Sequence, residues 1–291
     1  PPGIPAPLWS RGLGEVYKRQ HITRNNEMDL LVTSANPFTV QGIQFYGGQI
    51  ARLSANGPSN FNIRQSSGCA DPGYSLYDGH PGQFDSSGRT YIEAHPINSS
   101  QSVDDLNQLL QLITCDRSNP YVEVSRRHYR GSLGLIEQNG QYSFNRVNRE
   151  QYLRGVVPQE TPSSWGTMGG GLGMHALRAQ AVAARTYLEA ISQRRKAKGY
   201  MTDTCDTIGC QVYLGASANG KPLDYGTDFW TTTAAVNETS GLIRISYDGS
   251  IPLAEFGSSS GGWTTPQSEL SAFPAVIDEG DGVEPNPHHL W

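Results

Sequence analysis

One stretch of this chain reads as a long helix, and almost everything around it reads as short strands joined by turns. From Met174 to Lys198 the residues Leu177, Ala181, Ala184, Leu188 and Ile191 recur at alternating spacings of four and three, the period of a single helix face. The alanines on that face allow close approach to a sheet. Glycines at 169, 170, 171 and 173 break regular structure just before it. Arg194, Arg195, Lys196 and Lys198 gather at the far end, where cations suit the helix dipole and read as a solvated terminus.

The remainder alternates at the period of strands. Asn139-Gly140 predicts a hairpin between Ser132–Glu137 and Gln141–Val147, and Asp248-Gly249 predicts a second between Leu242–Tyr247 and Ile251–Phe256. His21 to Leu53 reads as brief strands. Ser102 followed by V-D-D-L-N-Q-L-L-Q-L-I predicts a capped helix, with Leu106, Leu109, Leu110 and Ile113 on one face, ending at Cys115. No solenoid-type repeat is present. The fold class expected is α+β, with antiparallel strands and hairpins around one long central helix and a β-rich N-terminal extension. Residues 21–119 are assigned to that extension and 120–291 to a second domain. Residues 1–20 are set aside as non-native, because E-V-Y-K-R-Q at 15–20 resembles a translated adaptor; no signal peptide is visible, and both ends are expected to be cut.

The chemistry-bearing segment is Y-L-R-G-V-V-P-Q-E-T-P-S-S-W from Tyr152 to Trp165. Asn148 with Gln151 resembles a capping box, so a short helix is expected to start there and to stop before Pro158. Glu160 then lies between Pro158 and Pro162 on a stiff backbone, with Gln159 biased toward extended geometry. A stiff, isolated carboxylate suits general acid work, which is aided by an apolar wall of the kind Trp165, Val156 and Val157 can supply. The bland alternative is a helix-end cap.

At these residues the chain resembles the stage II sporulation protein D family (SpoIID/LytB). The resemblance is carried by Tyr152 to Pro162, by Ala176 to Leu188 (A-L-R-A-Q-A-V-A-A-R-T-Y-L), by Cys210-Gln211-Val212-Tyr213 and by Phe256 to Thr264 (F-G-S-S-S-G-G-W-T). It implies a secreted, cell-wall-associated bacterial lytic transglycosylase, cutting the β-1,4 bond between N-acetylmuramic acid and N-acetylglucosamine with Glu160 as its single catalytic acid. Its substrate would be peptidoglycan glycan strands after loss of their stem peptides. The same resemblance carries an alternative, a glycan-binding enhancer of a cell-wall amidase that cuts nothing itself. Substrate-binding candidates are Gln180, Arg185, Gln211, Tyr213, Ser258, Ser259, Ser260 and Thr264, with Trp263 as a stacking surface. For Arg185 a salt bridge holding helix to loop is the competing reading, and for Tyr213 a core position.

Four cysteines fall into two natural sets, Cys69 with Cys115 and Cys205 with Cys210, and their even number fits disulfides in an oxidising compartment, although four cysteines allow three pairings and the sequence alone does not choose among them. Some relatives hold zinc with cysteine and histidine in this second region. Here no histidine lies near Cys205 and Cys210, so a small disulfide loop is favoured, with no metal and no cofactor. The net charge of −5 argues against a nucleic-acid footprint, and no apolar run approaches a bilayer span. Gly257-Ser258-Ser259-Ser260-Gly261 fits a nucleophile-elbow pattern centred on Ser259, with Asp278 or Asp281 and His288 or His289 in triad order. A hairpin strand before it and W-T-T-P after it weigh against that serine-hydrolase reading. Gly171-x-Gly173-x-x-Ala176 fits a relaxed dinucleotide fingerprint but has no entering strand.

Overall fold

The structure is a computed structural model describing residues 17–25, 28–85, 88–97, 104–137, 140–257, 260, 262–264, 275–279 and 281. Its strands are β1 (Tyr17–His21), β2 (Leu30–Thr33), β3 (Phe38–Val40), β4 (Ile43–Phe45), β5 (Ile50–Ala55), β6 (Phe61–Ser66), β7 (Tyr74–His80), β8 (Gln83–Phe84), β9 (Thr90–Pro96), β10 (Leu110–Cys115), β11 (Glu123–Tyr129), β12 (Ser132–Glu137), β13 (Gln141–Asn148), β14 (Thr204–Cys205), β15 (Ser217–Ala218) and β16 (Lys221–Pro222). The helices are α1 (Arg149–Glu160), α2 (Met174–Ala197) and α3 (Trp230–Glu238). The class is α+β, strand-rich toward the N-terminus, with α2 as its long helix.

The strands form two sheets. One runs β14-β1-β13-β12-β9-β3-β4, with β8 on β9, and the other runs β16-β15-β11-β10-β2-β5-β6-β7. All the pairings are antiparallel except β1 with β14. Their inner faces share one apolar core, with Leu30, Leu53 and Leu112 from one sheet, Phe38, Ile92 and Leu133 from the other, and Leu153, Val156, Ala181 and Leu188 from α1 and α2. Burying such side chains contributes roughly 1.5–3 kcal/mol each. Because both sheets draw strands from either side of residue 120, the expected domain boundary falls inside both of them.

Tyr17–Gln20, excluded in the sequence reading, lie in β1. That strand pairs with β13 along its whole length, and Lys18 is buried with its ammonium 2.8 Å from Glu189 Oε2. The β12–β13 hairpin forms as predicted. The helix expected after Ser102 does not: only a short 3-10 turn at Leu106–Gln108 forms, and the chain then enters β10. Leu110 and Leu112 reach the shared core, while Ile113 and Cys115 belong to a second apolar cluster with Leu31 and Ile50. A strand buried on both faces shows a continuous apolar run, and such a run also satisfies a helix template. Ser102 itself lies outside the described residues.

Around Asp248-Gly249 a turn forms, with Ser246 N–H donating to the Ser250 carbonyl at 2.9 Å, but no strand ladder extends from it. Arg244 N–H instead donates to Thr186 Oγ1 on α2 at 2.9 Å, so this arm is held by the helix rather than by a partner strand. Both cysteine sets are disulfides, with Cα separations of 5.8 Å for Cys69–Cys115 and 5.5 Å for Cys205–Cys210. No helix among the described residues is long and apolar enough to cross a membrane.

Candidate active site

Helix α1 begins where Asn148 Oδ1 accepts from Glu150 N–H at 2.9 Å. Its apolar residues Tyr152, Leu153, Val156 and Val157 face the core, so Val156 and Val157 form no wall for Glu160, and Trp165 is 45% exposed. At Gly155 an added Cβ would sit 2.5 Å from the Tyr213 ring, so only glycine allows the helix this close to that ring.

The helix does not stop at Pro158. It continues through Gln159 to Glu160, and Thr161 N–H closes the last turn on the Val157 carbonyl at 2.9 Å. A proline this near the C-terminus removes one i to i−4 bond, and the remaining turn survives it. Glu160 is therefore the final helical residue, and Gln159 is helical rather than extended. At a helix C-terminus the peptide dipoles oppose a carboxylate. Glu160 is half-buried, forms no ion pair among the described residues, and accepts one backbone hydrogen bond, from Val212 N–H to its Oε1 at 3.0 Å.

Gln211 and Tyr213 explain how Val212 is held. Both are buried: Gln211 Nε2 donates to the Ala184 carbonyl at 3.1 Å, its Oε1 accepts from Tyr152 OH at 3.2 Å, and Tyr213 OH donates to Asn145 Oδ1 at 3.2 Å. These two side chains brace the segment from within, and the Cys205–Cys210 disulfide closes the loop leading into it. Neither presents a polar group to a ligand in this arrangement.

Arg185 is fully buried and bound to Glu150, Nη2 to Oε2 at 2.6 Å, while its Nη1 donates to the Leu242 carbonyl at 3.0 Å. Glu150 also meets Arg149 at 3.1 Å, and Arg149 reaches Glu189, the partner of Lys18. This chain of alternating charges ties α1, α2, β1 and the 241–242 segment together. Arg185 belongs to it and not to Glu160.

Gln180 lies half-buried on α2, and its Nε2 is buried without a hydrogen-bond partner among the described residues. Two turns on along that face is Tyr187, which the sequence reading did not single out. Its ring meets Phe256 edge-on at 6.2 Å. Burial raises the Tyr187 phenol pKa, and the Glu255 and Glu160 carboxylates add to the rise. Burial likewise holds the Tyr152 phenol well above its ordinary range, with a further contribution from Glu160. The clue in the sequence was the seven-residue spacing from Gln180 to Tyr187, which gives one helix face.

Ser258 and Ser259 lie outside the described residues, as do His288 and His289. Ser260 Oγ is 2.9 Å from Asp281 Oδ2 and 3.1 Å from Asp278 Oδ2, and Thr264 N–H donates to the Val276 carbonyl at 3.0 Å. These bonds tie the C-terminal segment to itself. The described residues Gly257, Ser260 and 262–264 lie in no helix. Nor do those residues contain a group of three or more potential metal-ligating side chains.

The family model of Stage II sporulation protein (SpoIID) matches residues 137–247, the stretch holding all three helices, Glu160 and Val212. The chain carries a SpoIID domain. It is 36% identical over 135 residues to the amidase enhancer of Bacillus subtilis (strain 168), covering 46% of this chain and 16% of that protein. It is 34% identical over 137 residues to an uncharacterized protein of Brachyspira hyodysenteriae (strain ATCC 49526 / WA1), covering 47% of this chain and 32% of that one. The chain thus matches less than a third of the length of either relative. No solved structure matches. The SpoIID match ends before Ser258, Ser259, Ser260 and Thr264.

Proposed function

We propose that this SpoIID domain is a peptidoglycan lytic transglycosylase with Glu160 as its only catalytic carboxylate. The observation that carries the reading is the placement of Glu160 at a helix C-terminus, against the dipole, with a single N–H donor and no ion pair among the described residues. A carboxylate kept at so unfavourable an address serves chemistry better than stability. Protonated Glu160 gives its proton to the glycosidic oxygen as the bond from the anomeric carbon of N-acetylmuramic acid breaks. The C6 hydroxyl of the same sugar then attacks that carbon, and Glu160 takes the hydroxyl proton. A 1,6-anhydro ring forms, no water is consumed, and the acid is restored. Val212 N–H orients the carboxylate between the two transfers, and Tyr187, whose phenol feels the Glu160 charge, is the side chain we assign to meet the sugar.

The amidase-enhancer relative favours a second reading, in which the surface around Glu160 binds glycan and stimulates a cell-wall amidase without cutting. Under either reading the protein works outside the cytoplasm, as its two disulfides suit. Mass spectrometry of the soluble products from peptide-stripped glycan strands separates the readings. Anhydro-muramic ends support transglycosylation, reducing ends mean hydrolysis, and intact strands with faster release of stem peptides by an added amidase support the enhancer.

A further inference from the structure

Beyond α2, the segment Gly199–Thr202 crosses the outer face of the first sheet and lays Met201 on Tyr91, Ile136 and Phe144. Beside it opens a groove of about 580 Å³. Its floor carries Arg19, whose guanidinium lies 4.2 Å from the centre of the Tyr91 ring and 5.4 Å from that of Phe144. No hydrogen bond or ion pair occupies that guanidinium among the described residues, although Arg19 N–H on the backbone donates to Asp203 Oδ2 at 2.8 Å. An arginine resting against two rings, with its side-chain donors unengaged among the described residues, is a preorganised fork for a planar anion.

The surroundings add charge and shape. Arg146 stands over the Tyr17 ring at 5.6 Å and meets Glu93 at 3.4 Å. The two lining carboxylates are already engaged, Asp85 with Arg89 at 3.4 Å and Asp203 with Lys196 at 3.1 Å. A net positive groove therefore exists in a chain of net charge −5. Around it Tyr17, Phe84 and Tyr200 are 50%, 65% and 50% exposed, and flat apolar faces of that kind stack against pyranose rings.

We propose that this groove binds a carbohydrate chain bearing carboxylates, with Arg19 taking one carboxylate bidentately and the flanking aromatic rings taking the sugar faces. It shares no lining residue with the contacts of Glu160, so binding here and chemistry there are separable. The site would hold an acidic glycan on one side of the molecule while the SpoIID site acts.

The test is calorimetric titration of the full chain with tetramannuronate, a β-1,4-linked sugar acid, beside its methyl ester and tripolyphosphate. Tetramannuronate is expected to bind about 10- to 100-fold more tightly than the ester. Arg19→Gln is expected to lose a similar factor, and Tyr200→Ala, which removes a half-exposed ring whose one face meets Arg195 at 4.4 Å, about tenfold, with an unchanged urea midpoint as the check on folding. Absence of tetramannuronate binding, equal binding of acid and ester, or binding indifferent to both substitutions overturns the proposal. So does tripolyphosphate binding as tightly as the sugar acid and unaffected by Tyr200→Ala, which would make the groove a bare anion site. Product formation from glycan strands reports on Glu160 independently of all these results.

Discussion

Two glutamates on one helix have opposite surroundings. Glu150, in the first turn of α1, is favoured by the dipole and held by Arg149 and by the fully buried Arg185. Glu160, at the last position, is disfavoured by the same dipole and has one backbone donor. The first is part of what fixes α1 to α2. The second is held in place by a braced neighbour and, among the described residues, engaged by nothing else, a condition that suits the proton exchange proposed for it.

The sharpest way to break this contrast is to neutralise each carboxylate in turn. Glu160→Gln should lower glycan cleavage by about 10²- to 10⁴-fold, the usual worth of a general acid-base group, as read by the rate of product release. The same change should leave stability unchanged or raise it by about 0.3–1 kcal/mol, since it removes a negative charge from a helix C-terminus. Glu150→Gln should do the reverse: it strands the buried Arg185 and should destabilise the fold by about 3–5 kcal/mol in urea unfolding. An equal stability loss in both variants would erase the distinction.

Smaller effects sharpen the account of how Glu160 is held. Replacing Cys205 and Cys210 by serine frees the loop before Val212 and should cost about 2 kcal/mol of stability. Gln211→Ala removes the brace to Ala184 and Tyr152 and should cost about 1–3 kcal/mol. It should also lower kcat more than it raises KM, because it shifts Val212 N–H rather than a ligand contact. The smallest effect is on pH dependence. His128 lies between Gln111 (2.8 Å) and Ser217 (2.6 Å), and burial lowers its pKa below the ordinary 6.5. The unfolded chain then binds more protons in that window, so this contribution is full above pH 6.5 and is lost as the pH falls toward the lowered folded-state value. Urea midpoints across that range should decline in wild type and flatten in His128→Gln.

Features governed by local periodicity were legible in the sequence. The face of α2 and the Asn139-Gly140 hairpin needed no knowledge of distant partners, whereas the sequence left the cysteine pairing open and the structure settles it, with Cys69 reaching Cys115 46 residues away. What was misread depended on tertiary neighbours. β10 carries a helix-like apolar spacing because it is buried on both faces, and the arm at 242–246 gave up strand pairing for a bond to Thr186. Pro158 reads as a stop, yet α1 runs past it because the last turn loses a single bond. Within the candidate site, Glu160 was visible from its proline bracket, while Arg185, Gln211 and Tyr213 were singled out as ligands although the structure buries them as supports. Tyr187 shares a helix face with Gln180 at seven-residue spacing, but that spacing alone does not say which residues of the face lie near Glu160.

The most direct test of the central claim is the rate at which anhydro-muramic ends appear from peptide-stripped glycan strands, compared between wild type and Glu160→Gln at matched fractions folded. The account predicts steady accumulation with wild type and none above background with the variant. Anhydro ends formed by both proteins at the same rate would contradict it.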